Sequence, residues 1–210
     1  TDPTDPTDPT DPTDPTDPTD PTVVAIADIQ GIGDASPLAG QTVTTEGVVT
    51  AHYPTGGFDG YVIQTAGTGG ALDLAAHAAS DALFVYAPGA VSEVSPGDTV
   101  RVTGVVSEWN GLTELTVAAG AAQRIDAQPA PAPATVAWPA DAAPRESLES
   151  MLVAPRGAFT VSNTYSTNQY GEVGLAAGDA PLRQPTDAAR PGTAEAAAVA
   201  ADNAARGITL

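Results

Sequence analysis

The chain contains no cysteine and no lysine, and it has no long apolar run. Without cysteine no disulfide framework can hold the fold. Cysteine usage therefore does not indicate whether the protein works in an oxidising or a reducing compartment. The absence of an apolar run of about 18 residues excludes a membrane-spanning helix. Seven arginines face 26 acidic residues, which gives a net charge of −19. Proteins that bind nucleic acid need clustered basic side chains. Because this chain has few basic residues, its DNA binding without a bridging partner should be weak.

The first 21 residues are seven copies of Thr-Asp-Pro. Proline at every third position fixes φ and removes a backbone donor, and the repeat has no apolar face to bury. Its aspartates also repel one another. We therefore predict that residues 1–22 form a disordered, low-complexity linker. A calcium-binding repeat is the alternative, but the repeat lacks the glycine bend and converging oxygens of calcium loops.

Residues 23–127 show the pattern of a small β-barrel. Short β-branched segments alternate with turn residues at 42–50, 60–65, 82–86 and 99–107. Asn110-Gly111 is a strong hairpin signal that leads into a fifth strand at 112–117. Glycines in the middle of the first and fourth segments suit strands that bend around a barrel. The predicted fold class is mainly β, with a five-stranded OB-type β-barrel; an open β-sandwich is the alternative.

The rest of the chain predicts a spacer and a second unit. Residues 128–145 are rich in proline and alanine, which is typical of a spacer. Residues 146–210 predict the start of a second β-rich domain of α+β character. Within it, Thr193 is a suitable N-cap for an alanine-rich helix that ends at Arg206, just before Gly207. The last residues read like the beginning of a strand, so we expect this domain to be truncated.

Several phrases occur in an order that resembles a known family: SPLAGQTVTTEGVVTA, GGFDGYVIQTAG, SDALFVY, GDTVRVTGVVSEWNGLTELT and QYGEVGLA. The chain resembles the OB-fold accessory region of secreted bacterial nucleases of the endonuclease/exonuclease/phosphatase type, over about residues 26–210. The resemblance implies a secreted or cell-surface protein whose catalytic domain, a hydrolase, lies downstream in the same polypeptide. This module would then position DNA or that domain for phosphodiester hydrolysis. The catalytic domain would need Mg²⁺ or Ca²⁺, whereas no cofactor is expected in this chain.

Candidate binding residues surround two connections of the predicted barrel. Tyr53, Phe58 and Tyr61 lie around the connection between the first two strands, and Trp109 lies at the last hairpin. In OB-folds these connections flank the face that takes oligonucleotides or oligosaccharides, and aromatic rings there stack on the ligand. The alternative is that the rings close the barrel ends or face a neighbouring domain. His52 is a further stacking candidate, with packing in a loop as its alternative.

Charged candidates are few. The phosphate candidates are Arg101 and Arg124, the two basic residues of the barrel region. Four carboxylates could share a divalent cation that bridges to phosphate, with ordinary solvated side chains as the alternative: Asp59, Asp73, Asp81 and Glu108. Their spacing matches no known calcium loop. No nucleophile elbow, P-loop or His-Glu-x-x-His motif is present, so we name no catalytic residue.

Two other functions remain open at this stage. OB barrels also take oligosaccharides, and aromatic residues with little basic charge suit sugars better than DNA. A carbohydrate or surface-polymer binding module is therefore one alternative. The other is a purely structural spacer that stiffens a multidomain exoprotein and binds no ligand.

Overall fold

A computed structural model describes residues 22–210. The predicted linker, residues 1–22, lies outside the described residues except for Thr22. In chain order, the elements are α1 (Ile26–Gln30), β1 (Thr42–Tyr53), β2 (Gly60–Gln64), β3 (Gly69–Ala71), β4 (Ala82–Tyr86), a 3₁₀ turn (Val91–Glu93), β5 (Thr99–Trp109), β6 (Leu112–Thr116), β7 (Ala122–Arg124), β8 (Ala132–Thr135), α2 (Ala142–Glu146), β9 (Phe159–Asn163), α3 (Thr167–Tyr170), β10 (Gly174–Ala177), α4 (Pro185–Ala188), α5 (Ala194–Arg206) and β11 (Gly207–Thr209).

Five strands close into a barrel in the order β1-β2-β4-β6-β5, and β5 returns to pair with β1. The pairs are antiparallel except that β4 and β6 run parallel. A closed five-stranded barrel with this non-sequential order has the Greek-key character of an OB-fold. The prediction of a mainly β protein with an OB-type barrel is confirmed.

Strand β1 is long enough to pair with two neighbours, and it bends between them. Its first half pairs with β5 and its second half pairs with β2. The bend occurs at Gly47, where a Cβ atom would lie 3.0 Å from Cβ of Ile63 and 3.1 Å from the carbonyl oxygen of Gln64. A bulge between Val49 and Ala51 adds to the curvature. The mid-strand glycine therefore marks a barrel bend, as the sequence predicts.

The barrel interior is filled by aliphatic side chains that alternate along the strands. Val49, Ile63, Leu83 and Leu115 are almost completely buried there. Helix α1 lies against β1 and β4 and adds Ile26 to the same core. Burial of these side chains, at about 1.5–3 kcal/mol each, is the main source of the barrel's stability.

The outer face of β2 and β4 is covered by the segment that the sequence predicts to be a spacer. Val62 and Phe84 pack with Ala134, Val136 and Met151 in a second apolar cluster. Strand β8 also pairs in parallel with β3. The spacer prediction for 128–145 is therefore wrong for its central part. Alternate prolines are compatible with such a strand because the alanines between them supply the donors: the Ala132 amide donates to the Thr68 carbonyl oxygen at 2.9 Å, and the Ala134 amide donates to the Leu152 carbonyl oxygen at 2.8 Å.

The second unit is a three-stranded antiparallel sheet in the order β11-β10-β9, with α5 packed against β10. The Thr193 hydroxyl accepts a hydrogen bond from the Ala196 amide at 3.3 Å, so the predicted N-cap of α5 is confirmed. At the other end of α5, Arg145 donates to the carbonyl oxygens of Ala204 and Ala205 at 2.8 and 2.6 Å. Its guanidinium thereby satisfies carbonyls that the helix end leaves free.

Candidate ligand-binding groove

One apolar groove crosses the barrel surface between the β1–β2 and β5–β6 connections. It consists of two adjoining cavities, of about 350 and 300 Å³, that share Phe58, Phe84 and Leu112. We call this surface the aromatic groove and define it by six side chains: Tyr53, Phe58, Phe84, Tyr86, Trp109 and Leu112. Each cavity by itself is at the lower end of the volume range for small-molecule sites.

Two turns place the exposed rings of the aromatic groove. Asn110 and Gly111 both have positive φ, 53° and 82°, as a two-residue hairpin turn of the Asn-Gly type requires. Trp109 and Leu112 are consequently cross-strand partners beside this turn. Gly56 and Gly57, with φ of 91° and 93°, bring the β1–β2 connection back toward the barrel. The hairpin predicted from Asn-Gly is confirmed.

The structure brings together three of the four predicted aromatic rings. Trp109 is 66% exposed, Phe58 is 64% exposed and Tyr53 is 39% exposed. The rings of Tyr53 and Phe58 lie 5.3 Å apart, centroid to centroid, with an interplanar angle of 51°. This tilted arrangement is one that aromatic pairs favour, and it leaves ring surface open to a ligand.

Tyr61 does not belong to this set, and its prediction as a stacking residue is wrong. Its side chain is 1% exposed in the barrel core, and its hydroxyl has no hydrogen-bond partner among the described residues. Burial, with a smaller contribution from Glu93, raises the pKa of Tyr61 to about 12. The residue faces inward because it lies two positions before Ile63 on β2, and side chains two positions apart on a strand share one face.

His52 lies beside the barrel end rather than in the aromatic groove. Its Nε2 atom is 2.9 Å from the carbonyl oxygen of Val91, in a partly buried hydrogen bond. This contact fixes the ring against the 3₁₀ turn. The packing alternative therefore describes His52 better than ligand stacking does.

The two phosphate candidates are engaged elsewhere. Arg101 forms an ion pair with Glu46 at 2.7 Å, and Arg124 forms one with Asp98 at 3.0 Å. Arg101 lies eight residues before Trp109 on β5, which places it about 26 Å away along the strand. The structure thus separates the arginines from the exposed rings, and it contradicts a joint phosphate-and-stacking site.

The four cation candidates do not converge. Within residues 22–210, no three His, Cys, Asp or Glu side chains come close enough together to hold a metal ion. One Oδ atom of Asp73 accepts from the Ala75 amide at 3.0 Å within its own turn. Glu108 instead joins the α1–β1 loop to β6, since its Oε1 accepts from the Ser36 amide at 2.7 Å and from the Thr113 hydroxyl at 2.9 Å. Asp59 and Asp81 lie in loops before β2 and β4, so the shared-cation prediction is wrong for this arrangement.

Carboxylates also lie beside the groove. Oε1 of Glu149 accepts from the Thr113 amide at 3.1 Å, next to the groove residue Leu112. Burial raises the pKa of Glu149 to about 7; hydrogen bonds from Gln30 and Thr113 oppose this effect, and the charges of Glu146 and Glu108 add to it. The ionisable side chains beside the groove are therefore acidic, which disfavours the binding of a nucleic-acid phosphate backbone there.

Most of the side chains that line the two cavities could not be predicted from the sequence. Phe84 and Tyr86 come from ALFVY, a continuous apolar run that does not show which residues face outward. Ser150, Met151 and Leu152 come from the second unit and line the same cavity as Tyr53. No local pattern predicts this last contribution, because it depends on how the second unit folds back over the barrel.

No protein-family model matches the chain, and no curated protein matches it either. Among solved structures it is similar to the hypothetical protein YgiW from E. coli, with 20% sequence identity and a TM-score of 0.29. That similarity covers 41% of this chain and 77% of YgiW. The assignment of the barrel rests on strand order and register alone. Among the described helices, none has the length and apolarity needed to cross a bilayer.

Proposed function

We propose that residues 22–210 form a non-catalytic OB-type module of a secreted bacterial nuclease, and that the aromatic groove is its contact surface. The observation that carries the proposal is the position of Trp109 and Phe58. They lie on the two connections that flank the ligand face of OB-folds, and both rings are exposed beside one groove. The ordered sequence phrases supply the link to nucleases.

The charges favour the catalytic domain over DNA as the direct contact. Both barrel arginines are paired with carboxylates, and Glu149 and Glu108 lie beside the groove. Ring stacking contributes about 1–3 kcal/mol per base, but a DNA backbone would meet acidic side chains without a basic partner. Contact with an apolar surface of the catalytic domain avoids that repulsion. Direct DNA contact would need a bridging Mg²⁺ or Ca²⁺.

The test is a pair of titrations with the complete 210-residue chain. In one, a labelled single-stranded oligonucleotide is followed by fluorescence anisotropy, with and without Ca²⁺ and Mg²⁺. In the other, the purified catalytic domain of the parent nuclease is followed by calorimetry. We expect binding to the domain and weakening by Trp109→Ala. Tyr165→Ala is the matched control, because Tyr165 is 91% exposed and does not line the groove.

If the chain binds neither the oligonucleotide nor the catalytic domain, the positioning role is refuted. Binding of DNA that requires a divalent cation and Trp109 would instead favour the DNA-presenting form of the proposal. Equal effects of Trp109→Ala and Tyr165→Ala would mean that the contact surface is not the aromatic groove.

A carbohydrate-binding module is the second candidate, and one observation favours it. The groove combines exposed rings with Glu114 in its lining, and it includes no arginine. Sugars offer apolar C–H faces for rings and hydroxyl donors for carboxylates, so such a site matches a neutral polymer better than a polyanion. Binding on a glycan array that Trp109→Ala abolishes would support this candidate over the nuclease module.

A further inference from the structure

The aromatic groove leaves large rings uncovered. Trp109 and Phe58 are 66% and 64% exposed, and Tyr53 is 39% exposed. Together with Tyr86 they line two adjoining cavities that share Phe58. Exposed rings that are grouped on one surface are typical of an interaction site. An occupant must present an apolar edge to this surface, because rings and aliphatic side chains make up most of the lining.

The Thr-Asp-Pro repeat supplies such an edge within the same chain. Proline fixes φ near the value of the polyproline II helix, which has three residues per turn. In that helix all the repeat prolines fall on one edge, and the threonines and aspartates form the other two edges. Pro-x-x-Pro segments in this conformation dock in grooves that are lined by aromatic rings. Every neighbouring pair of repeat prolines has this spacing: Pro3, Pro6, Pro9, Pro12, Pro15, Pro18 and Pro21.

The repeat is long enough to reach the groove of its own chain. It joins the barrel at Val23, which bridges to Thr44 near the start of β1. Tyr53, at the other end of β1, lies nine residues further, which is at most about 31 Å along the strand. From Thr10 to Thr22 the chain advances twelve residues, which span about 37 Å in a polyproline II helix. The middle of the repeat therefore reaches the groove without any change in the barrel.

Charge limits the strength of this contact, and tethering offsets the limit. The repeat carries seven aspartates, and the described lining of the groove includes Glu114 but no basic side chain. When the proline edge faces the rings, the aspartate edge points aside, so the repulsion acts through solvent and is screened by salt. A tethered segment has an effective concentration on the order of millimolar. A contact with a Kd of about 1 mM between separate molecules would therefore fill the groove about half of the time.

We propose that the aromatic groove is the docking site of the chain's own Thr-Asp-Pro repeat, residues 1–21. The prolines in the middle of the repeat lie against Trp109 and Phe58, and the threonine and aspartate edges face solvent. The contact rests on the groove and the repeat alone, so it is independent of the proposed link to nucleases. Any other ligand of the groove must first displace the repeat.

The test uses a spin label on the complete chain, which has no cysteine of its own. Thr10→Cys creates a single thiol, and a nitroxide attached there broadens the NMR signals of nearby amides. We expect strong broadening at the amides of Phe58 and Trp109. The broadening should increase at about 1 M salt, where the Debye length is about 3 Å. Broadening that is strongest around Val23 and absent from the groove would overturn the proposal, because a repeat that does not dock stays near its attachment point.

Two pairs of variants test the contact itself. Trp109→Ala should remove most of the broadening at Phe58, whereas Tyr165→Ala should leave it unchanged, because Tyr165 is exposed and lies outside the groove. Alanine in place of all seven repeat prolines should also remove it, whereas alanine in place of the six unlabelled repeat threonines should not. Equal effects within either pair would overturn the proposal.

A mixing experiment identifies which copy of the repeat occupies the groove. Isotope-labelled chain without a nitroxide is mixed with spin-labelled chain of natural isotope composition, so broadening arises only between molecules. At a chain concentration of about 0.1 mM, tenfold below a Kd of about 1 mM, we expect little broadening at Phe58. Broadening as strong as that within one chain would overturn the proposal, since the occupant would then be the repeat of a second copy.

Discussion

Replacing Glu149 with glutamine should flatten the pH dependence of stability between pH 5 and 8. Glu149 joins the second unit to the barrel: its carboxylate accepts from the Thr113 amide, and its carbonyl oxygen accepts from the Ser80 hydroxyl at 2.6 Å. Burial raises its pKa from 4.5 to about 7 in the folded chain. In the unfolded chain, the same carboxyl ionises near its ordinary value.

The sign and size of the effect follow from this difference. Between about pH 4.5 and 7 the folded state holds one proton that the unfolded state has lost, so the free energy of unfolding falls as pH rises and levels off above pH 7. The full difference between these two pKa values corresponds to about 3 kcal/mol. Because the side chain is partly exposed and solvent screens it, we expect about 1–2 kcal/mol.

The assay is urea unfolding of the complete chain at several pH values. The wild type should lose about 1–2 kcal/mol of stability between pH 5 and pH 8 through this group, whereas Glu149→Gln should not lose it. The variant should therefore be the more stable protein at pH 8. Glu195→Gln is the matched control, because Glu195 is exposed on α5. Parallel stability curves for the wild type and Glu149→Gln would refute the reasoning.

Three further substitutions test the fold, each measured by urea unfolding. Leu83→Ala should cost about 2–5 kcal/mol because Leu83 is fully buried in the barrel, and a loss under 1 kcal/mol would contradict that packing. Gly60→Ala should cost about 1–3 kcal/mol because a Cβ would meet the Phe84 ring and lie 2.5 Å from the Val85 carbonyl oxygen. Gly33→Ala, with nothing near its Cβ, is the control. Thr193→Ala should cost about 1 kcal/mol because it removes the N-cap of α5, and it should also make the first amides of α5 exchange faster. Thr160→Ala, outside the helix, should leave the exchange of these amides unchanged.

The barrel could be predicted from sequence because its signals are local. β-Branched segments, the Asn110-Gly111 turn and the glycine bends each specify a nearby piece of backbone, and together they admit few topologies. The N-cap at Thr193 is a local signal as well, and it is confirmed. The exposed positions of Trp109 and Phe58 followed from their places in predicted connections.

The errors arose where position depends on distant parts of the chain. Tyr61 adjoins the predicted binding connection, but it shares the inner face of β2 with Ile63, and the continuous apolar run of that strand does not show which face is inward. The partners of Arg101 and Arg124 come from strand register, which the sequence pattern does not give. The segment around Ala134 reads as a spacer by composition, yet it forms a strand in which Ala134 is fully buried. Long-range packing overrides composition in each case.

The composite construction of the aromatic groove restricts what can bind there. In an OB-fold, the outer face of the second and third strands is available to a ligand. Here Val136, Leu148 and Met151 cover that face of β2 and β4, so the open surface is reduced to the rim around Phe58 and Trp109. A long nucleic-acid strand needs both an extended face and basic side chains, and this rim offers neither. A short apolar contact from a neighbouring domain, or a sugar chain laid across the rings, needs only what the rim provides.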